Sequence, residues 1–145
     1  MRRLTVGDFM TSAPLTISPR DTLAEAHLSM RRAGIRHLPV VVGKKLVGLV
    51  TQSDLRLMET LRDVDPTEVT VREAMSRAPY TAAPSAHLDR VCRVMARRRI
   101  GSTVVVWRGR PVGVFTTVDA LLALAELLSP KLTARRRTSP RPGPN

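Results

Sequence analysis

Two short constellations carry the residue types that could do chemistry, and they share one spacing: Thr51-x-x-Asp54 and Thr116-x-x-Asp119. Each follows a Val-rich run and opens a segment of helical periodicity, so a hydroxyl and a carboxylate are expected in the first turn of a helix. The helix dipole favours a negative charge there. A carboxylate held at such a point can accept hydrogen bonds from the paired hydroxyls of a ribose, and the threonine hydroxyl can reach a ribose or phosphate oxygen. Ser53 and Val118 lie in the same turns, beside each aspartate. Both Thr-x-x-Asp pairs are also capping boxes, which satisfy their own helix starts without any ligand. The capping role alone and the double role both remain open at this level.

Phosphate needs positive charge, and here the two halves of the chain differ. Arg36-His37 precedes the first Val-rich run, whereas Gly101-Ser102 precedes the second. A phosphate contact and a solvated surface charge are both open for Arg36, and His37 can equally be a histidine held in place beside a strand. Arg97-Arg98-Arg99 reads first as an exposed helix end favoured by the dipole, and second as a source of phosphate contacts. The asymmetry predicts one better anion-bearing site rather than two equal ones.

No constellation supports catalysis. The other acidic residues fall mainly at helix starts or between the halves, no nucleophile has a base at readable spacing, and no Gly-rich P-loop with its lysine exists. The single cysteine, Cys92, and the absence of a His/Cys cluster argue against a disulfide and a structural metal. A non-enzymatic chain without a catalytic cofactor is expected. No apolar run approaches the ~18 residues of a membrane span, and Met1 to Val6 lacks the apolar stretch of a signal peptide, so a cytoplasmic location is expected.

The elements that must position these residues come from an internal repeat. Sliding the chain by 65 residues superposes its halves without a gap and with identity at about a third of the aligned positions, among them Val6 on Val71, Met10 on Met75, Pro14 on Pro79, Gly48 on Gly113 and Asp54 on Asp119. Two copies only, at a period longer than most solenoid units, favour a closed domain over an array. Each copy reads as a helical turn ending at a methionine, a short extended piece, a helix, a hairpin and a second helix. The first helices are expected to start at Thr22-x-x-Glu25 and at Ser85, with Leu23, Ala26 and Met30, or Leu88, Val91 and Met95, facing the core. His27 and Cys92 hold equivalent places and are read as core-facing. Gly34 and Arg99 stand at the C-caps. The hairpins turn at Gly43-Lys44 and Arg108-Gly109, with the glycine first in one and second in the other, so the turn types should differ. The closing helices are expected to reach about Arg62 and Leu128.

This order, with Gly-x-x-Thr-x-x-Asp after the last strand of each copy, resembles the cystathionine β-synthase-type domain, or CBS domain, and two copies resemble a tandem pair, the Bateman module. Its most diagnostic stretches are Arg36 to Val41 with Gly48 to Asp54, and Gly101 to Val106 with Gly113 to Asp119. The resemblance covers nearly everything from Val6 to Leu128. It implies an α/β (α+β) fold of two β-α-β-β-α repeats forming one pseudo-two-fold module: repeats over residues 6–62 and 71–128, an acidic linker over 63–70, and a basic tail over 129–145 expected to be disordered. It also implies regulatory binding of an adenosine-containing ligand (AMP, ADP, ATP or S-adenosylmethionine) in clefts between the copies. Carried over residue by residue, Thr16-Ile17 and Thr81-Ala82 would line the base-binding wall, and Leu38, Pro39, Thr103 and Val104 the opposite wall, although core packing explains these four equally well.

At 145 residues with 43% hydrophobic and only 3% aromatic residues, the core must rest on Val, Leu, Ile, Ala and Met. The net charge of +12 is almost wholly arginine, and the tail supplies +5 of it. Compositional bias and attraction to a polyanion both explain it. The last helix, with Leu121, Leu122, Leu124, Leu127 and Leu128, is apolar on nearly every face, which predicts that it packs on a second copy in a homodimer. Three functions are carried forward: a nucleotide sensor acting on an effector protein, a dimerising interaction module with no nucleotide, and, less favoured, a nucleic-acid or polyphosphate binder using the basic tail.

Overall fold

The capping residues and glycines of the sequence mark where the elements begin and end. The computed structural model describes residues 3–129. The first copy contains a 3-10 turn (Val6–Asp8), β1 (Thr11–Ser12), α1 (Leu23–Ala33), β2 (His37–Val42), β3 (Lys45–Thr51) and α2 (Gln52–Glu59). The second contains α3 (Val71–Ala74), β4 (Thr81–Ala82), α4 (Leu88–Arg98), β5 (Ser102–Trp107), β6 (Arg110–Thr116) and α5 (Thr117–Leu128). The fold is thus mixed α/β with two repeats, in which β1 and β4 are not equivalent, since one period carries Thr11 onto Ser76 and Thr16 onto Thr81. Among the described residues no helix is long and apolar enough to cross a membrane.

Thr22, Thr51 and Thr116 cap their helices, each accepting from the amide three residues on. Gly34 and Arg99 close α1 and α4 in the left-handed region, at φ 66° and 55°. For Arg99 that conformation costs about 1 kcal/mol, which the glycine avoids. The two hairpin turns differ as their glycines imply: Arg108 and Gly109 both have positive φ, whereas Gly43 alone does in the first loop. Each hairpin strand buries consecutive central residues rather than alternating ones.

Two element boundaries and the setting of one side chain differ from the sequence expectation. Helix α4 starts at Leu88 behind His87, which makes no side-chain cap, and not at Ser85. His87 stands one repeat after Thr22, so the repeat register outweighs the capping preference of serine. Helix α2 ends at Glu59 rather than near Arg62: the Thr60 hydroxyl donates to the Leu57 carbonyl at 2.6 Å, and Asp63 then turns the chain at φ 61°. His27 is only partly buried, because its Nε2 meets Glu59 Oε1 at 2.6 Å, so it serves a polar pair instead of the core.

The chain divides into two compact units that do not coincide with the two copies. The first-copy unit holds residues 14–79 with 108–111, and the second-copy unit holds the residues up to 13, 80–107 and those from 112 onward. Each unit thus takes its opening segment from the other copy. Val71 is fully buried in a core with Leu23, Met30, Leu38, Val50 and Leu55, and Val6 and Phe9 lie in one with Leu88, Val91, Met95, Val105 and Phe115. Burying each such valine contributes roughly 1.5 kcal/mol or more.

The strands follow the same exchange. In the second-copy unit the sheet order is β1-β6-β5-β4, with β1 antiparallel to β6 and β4 parallel to β5. In the first-copy unit the β2-β3 hairpin is flanked by single bridges, Ile17 parallel to Val40 and Leu49 antiparallel to Ser76, and carries a bulge after Val40. The segment 63–70 joins this unit: the Leu23 amide donates to the Val69 carbonyl and the Ala24 amide to that of Pro66. The basic tail expected after Ser129 lies outside the described residues.

Candidate functional site

Each unit carries one Thr-x-x-Asp box at the end of its hairpin, and the backbone fixes it on two sides. In the first-copy unit the Thr51 amide donates to Asp54 Oδ2 at 2.9 Å, and Thr51 Oγ1 accepts from the Asp54 amide at 3.2 Å. The register pairs His37 with Thr51. The Gln52 amide donates to the Arg36 carbonyl at 2.9 Å. Arg36, His37, Thr51, Ser53 and Asp54 are therefore gathered at one end of β2 and β3, with Arg36 and Ser53 exposed and the others half-buried.

The second-copy unit repeats the box with one addition. The Thr116 amide donates to Asp119 Oδ2 at 2.9 Å, Thr116 Oγ1 accepts from the Asp119 amide at 3.2 Å, and the Thr116 hydroxyl also donates to Oδ2 at 3.1 Å. The Thr11 hydroxyl, from the exchanged segment, donates to Asp119 Oδ1 at 3.2 Å. Asp54 has no such second donor among the described residues. Sequence reasoning missed Thr11, although the signal was present: Thr11 and Ser76 are equivalent hydroxyl positions in the repeat, each just after a methionine. Gly101 precedes β5 and Ser102 opens it, the Gly101 carbonyl accepting from the Thr117 amide at 3.0 Å. No cation stands where Arg36 does. Val118, beside Asp119, is 63% exposed.

The expected wall residues divide into two groups. Thr16 and Ile17 flank β2, the Ile17 amide donating to the Pro39 carbonyl and the Val41 amide to that of Ile17. They line a groove of about 520 Å³ with Ser18 to Asp21 and Val41 to Gly43, and that groove does not include Arg36 or Asp54. Thr81 and Ala82 pair with Val104 and Val105 in the same way. Leu38, Pro39, Thr103 and Val104 are all buried, so none presents its side chain to a ligand in this conformation. The Thr103 hydroxyl is buried without a hydrogen-bond partner.

The glycine that begins each motif is explained by close approach. A Cβ on Gly48 would lie 2.7 Å from Met75 Sδ and 2.7 Å from the Ser76 carbonyl oxygen; one on Gly113 would meet Met10 Sδ and lie 3.0 Å from the Thr11 carbonyl oxygen. The exchanged segment crosses each hairpin where the motif glycine leaves room for it. Burial pushes the Cys92 thiol above its ordinary pKa, with the nearby Asp89 charge adding to it, so the inert thiolate-poor form dominates at neutral pH. Among the described residues no group of three His, Cys, Asp or Glu could hold a metal.

Comparison with known proteins matches the CBS domain to residues 6–58 and 71–126. The CBS domain-containing protein YhcV of Bacillus subtilis is 30% identical over 114 residues, covering 79% of this chain and 81% of YhcV. Inosine-5'-monophosphate dehydrogenase of Korarchaeum cryptofilum is 35% identical over 112 residues, and this chain spans only 22% of its length. Among solved structures, AcuB of Vibrio cholerae, described as an acetoin utilization protein, superposes with a TM-score of 0.81 at 30% identity, over 97% of this chain and all of AcuB. The CBS domain pair of protein MJ0100, in complex with 5'-methylthioadenosine and S-adenosyl-L-methionine, gives a TM-score of 0.77 at 27% identity, over 86% and 98% of the two chains.

Proposed function

The chain belongs to the CBS domain family, and we propose that it is a non-catalytic regulatory module that binds an adenosine-containing ligand and signals to an effector protein. The observation that carries this reading is the carboxylate of Asp54. It is fixed at a helix start by the Thr51 amide at 2.9 Å, keeps its second oxygen free of any donor among the described residues, and has Arg36 and His37 at the same end of the hairpin. A rigid acceptor for ribose hydroxyls beside a cation for phosphate suits a nucleotide. The likeness to an MJ0100 domain pair that holds two adenosine derivatives supports the class of ligand. The dehydrogenase matches this chain over only 22% of its own length, so its whole-protein activity is not carried over to this chain.

Calorimetric titration with AMP, ADP, ATP and S-adenosylmethionine tests the proposal, using the intact chain and its Asp54→Ala and Asp119→Ala variants. Saturable binding removed by Asp54→Ala supports it. Silence from all four on folded protein leaves the interaction-module reading, which a different observation favours. Leu121, Leu122, Leu124, Leu127 and Leu128 of α5 are 61%, 63%, 53%, 42% and 72% exposed, with only Ala123 of that helix buried. We assign this face to a second copy of the chain. Leu124→Arg is expected to convert a dimer to a monomer on a sizing column, and an unchanged elution volume refutes the assignment.

A further inference from the structure

Helix α4 carries a second candidate site, away from the Thr-x-x-Asp boxes. Arg90, Arg93 and Arg97 follow one another at helical spacing along one face, and Arg3 joins them from the exchanged opening segment. Together with His87, Asp89 and Val94 they line a groove of about 470 Å³, within the size range of small-molecule sites. Four guanidinium groups face one carboxylate. Asp89 is already held by Arg93 at 2.9 Å. Arg90 and Arg97 have no acidic partner among the described residues. From Arg90 to Arg97 the stripe runs about 10 Å along the helix, longer than a single phosphate needs.

The repeat shows that the fold does not require this charge. One period away, Arg3 becomes Glu68, Arg90 becomes Glu25, Arg93 becomes Leu28, and only Arg97 keeps its arginine as Arg32. The same helix position in the first copy thus presents two glutamates against one arginine, while its buried stripe is as apolar as that of α4. A charge reversal confined to one copy, in a concave place, goes beyond a general arginine bias. Guanidinium forks bind phosphate oxygens in pairs and remain charged at every physiological pH.

We propose that this groove binds a chain of linked phosphates, with Arg3, Arg90, Arg93 and Arg97 as its cationic lining. The site is independent of the nucleotide reading above. Equilibrium dialysis of the full chain against radiolabelled inorganic tripolyphosphate, at about 150 mM salt to suppress diffuse attraction, reads it directly. Arg90→Glu and Arg97→Glu alter exposed side chains, and thermal melting verifies that they fold; Arg31→Glu and Arg72→Glu, also exposed, match the charge change elsewhere. The expected result is saturable uptake of one equivalent, weakened at least tenfold by each groove substitution and within about twofold of the intact chain in the controls. No saturable uptake, equal weakening in the controls, or full retention in both groove variants would each overturn the proposal. An excess of ATP added to the Asp54→Ala, Asp119→Ala double variant distinguishes the source: displacement of the label assigns the groove to a nucleotide's phosphates, and indifference to a free oligophosphate.

Discussion

Replacing Asp54 and Asp119 by alanine should separate stability from binding in opposite directions. Asp54 accepts one backbone hydrogen bond at 2.9 Å and offers a negative charge to the start of α2. For a half-buried group, losing both costs about 1 kcal/mol. Asp119 makes the same contacts and also accepts from the Thr116 and Thr11 hydroxyls at 3.1 and 3.2 Å. The Thr11 contact is exposed, so each added bond contributes only about 0.5 kcal/mol and the total loss is about 2 kcal/mol. Binding reverses the order. The free oxygen of Asp54 can take a ribose hydroxyl at once, and losing a bidentate acceptor costs about 2–3 kcal/mol, roughly 30- to 150-fold in affinity. A ligand at Asp119 must first displace Thr11, and no cation stands where Arg36 does, so Asp119→Ala should weaken binding only a few-fold. Urea denaturation followed by circular dichroism, with calorimetry on the same samples, reads both quantities. Refutation comes if Asp54→Ala destabilises as much as Asp119→Ala, or if Asp119→Ala is the change that abolishes binding.

Two further substitutions test the packing. Gly48→Ala drives a methyl group against the Ser76 carbonyl oxygen at 2.7 Å, which is backbone and cannot swing away, whereas the nearest atom at Gly113 is the flexible Met10 Sδ. Gly48→Ala should therefore be the more destabilising of the two, by about 1 kcal/mol or more, and equal melting temperatures would contradict the account. Thr103→Val removes a buried hydroxyl that has no partner while keeping the shape of the side chain. It should be neutral or raise stability by about 1 kcal/mol in thermal melts, and a loss of more than that would show that the hydroxyl is satisfied after all.

The repeat, the two capping boxes, the C-caps and the difference between the hairpin turns were all legible in the sequence, because each rests on local backbone chemistry. Pairings set by distant segments were not. His27 and Cys92 occupy equivalent positions, but the polar partner of His27 is Glu59, and one period later that position is Leu124. The partner therefore decides the character of the site, and a stripe read on one helix cannot reveal it. Thr11 escaped notice for the same reason, since its acceptor lies 108 residues away. The exchanged opening segments were hidden because a period states which residues are equivalent and says nothing about which copy each packs on. Leu38 and Val104 show the converse: apolar strand residues suit a ligand wall and a core equally, and only burial distinguishes the two.

The exchange of opening segments also sets an order of events during synthesis. Val6, Phe9 and β1 are made early, yet β6, the strand that pairs with β1, is made about a hundred residues later. At typical elongation rates of 5–20 residues per second the segment waits several seconds with two large apolar side chains uncovered. The first-copy unit has its own exchanged segment, Val71 to Ser76, within a few residues of its body, and takes only the hairpin tip 108–111 from further on. It is therefore the one able to form early, while the other closes a long loop at the end. A nascent chain halted between residues 80 and 110 would carry one nearly finished unit and an opening segment still seeking its sheet, the stage at which a second nascent chain could capture it.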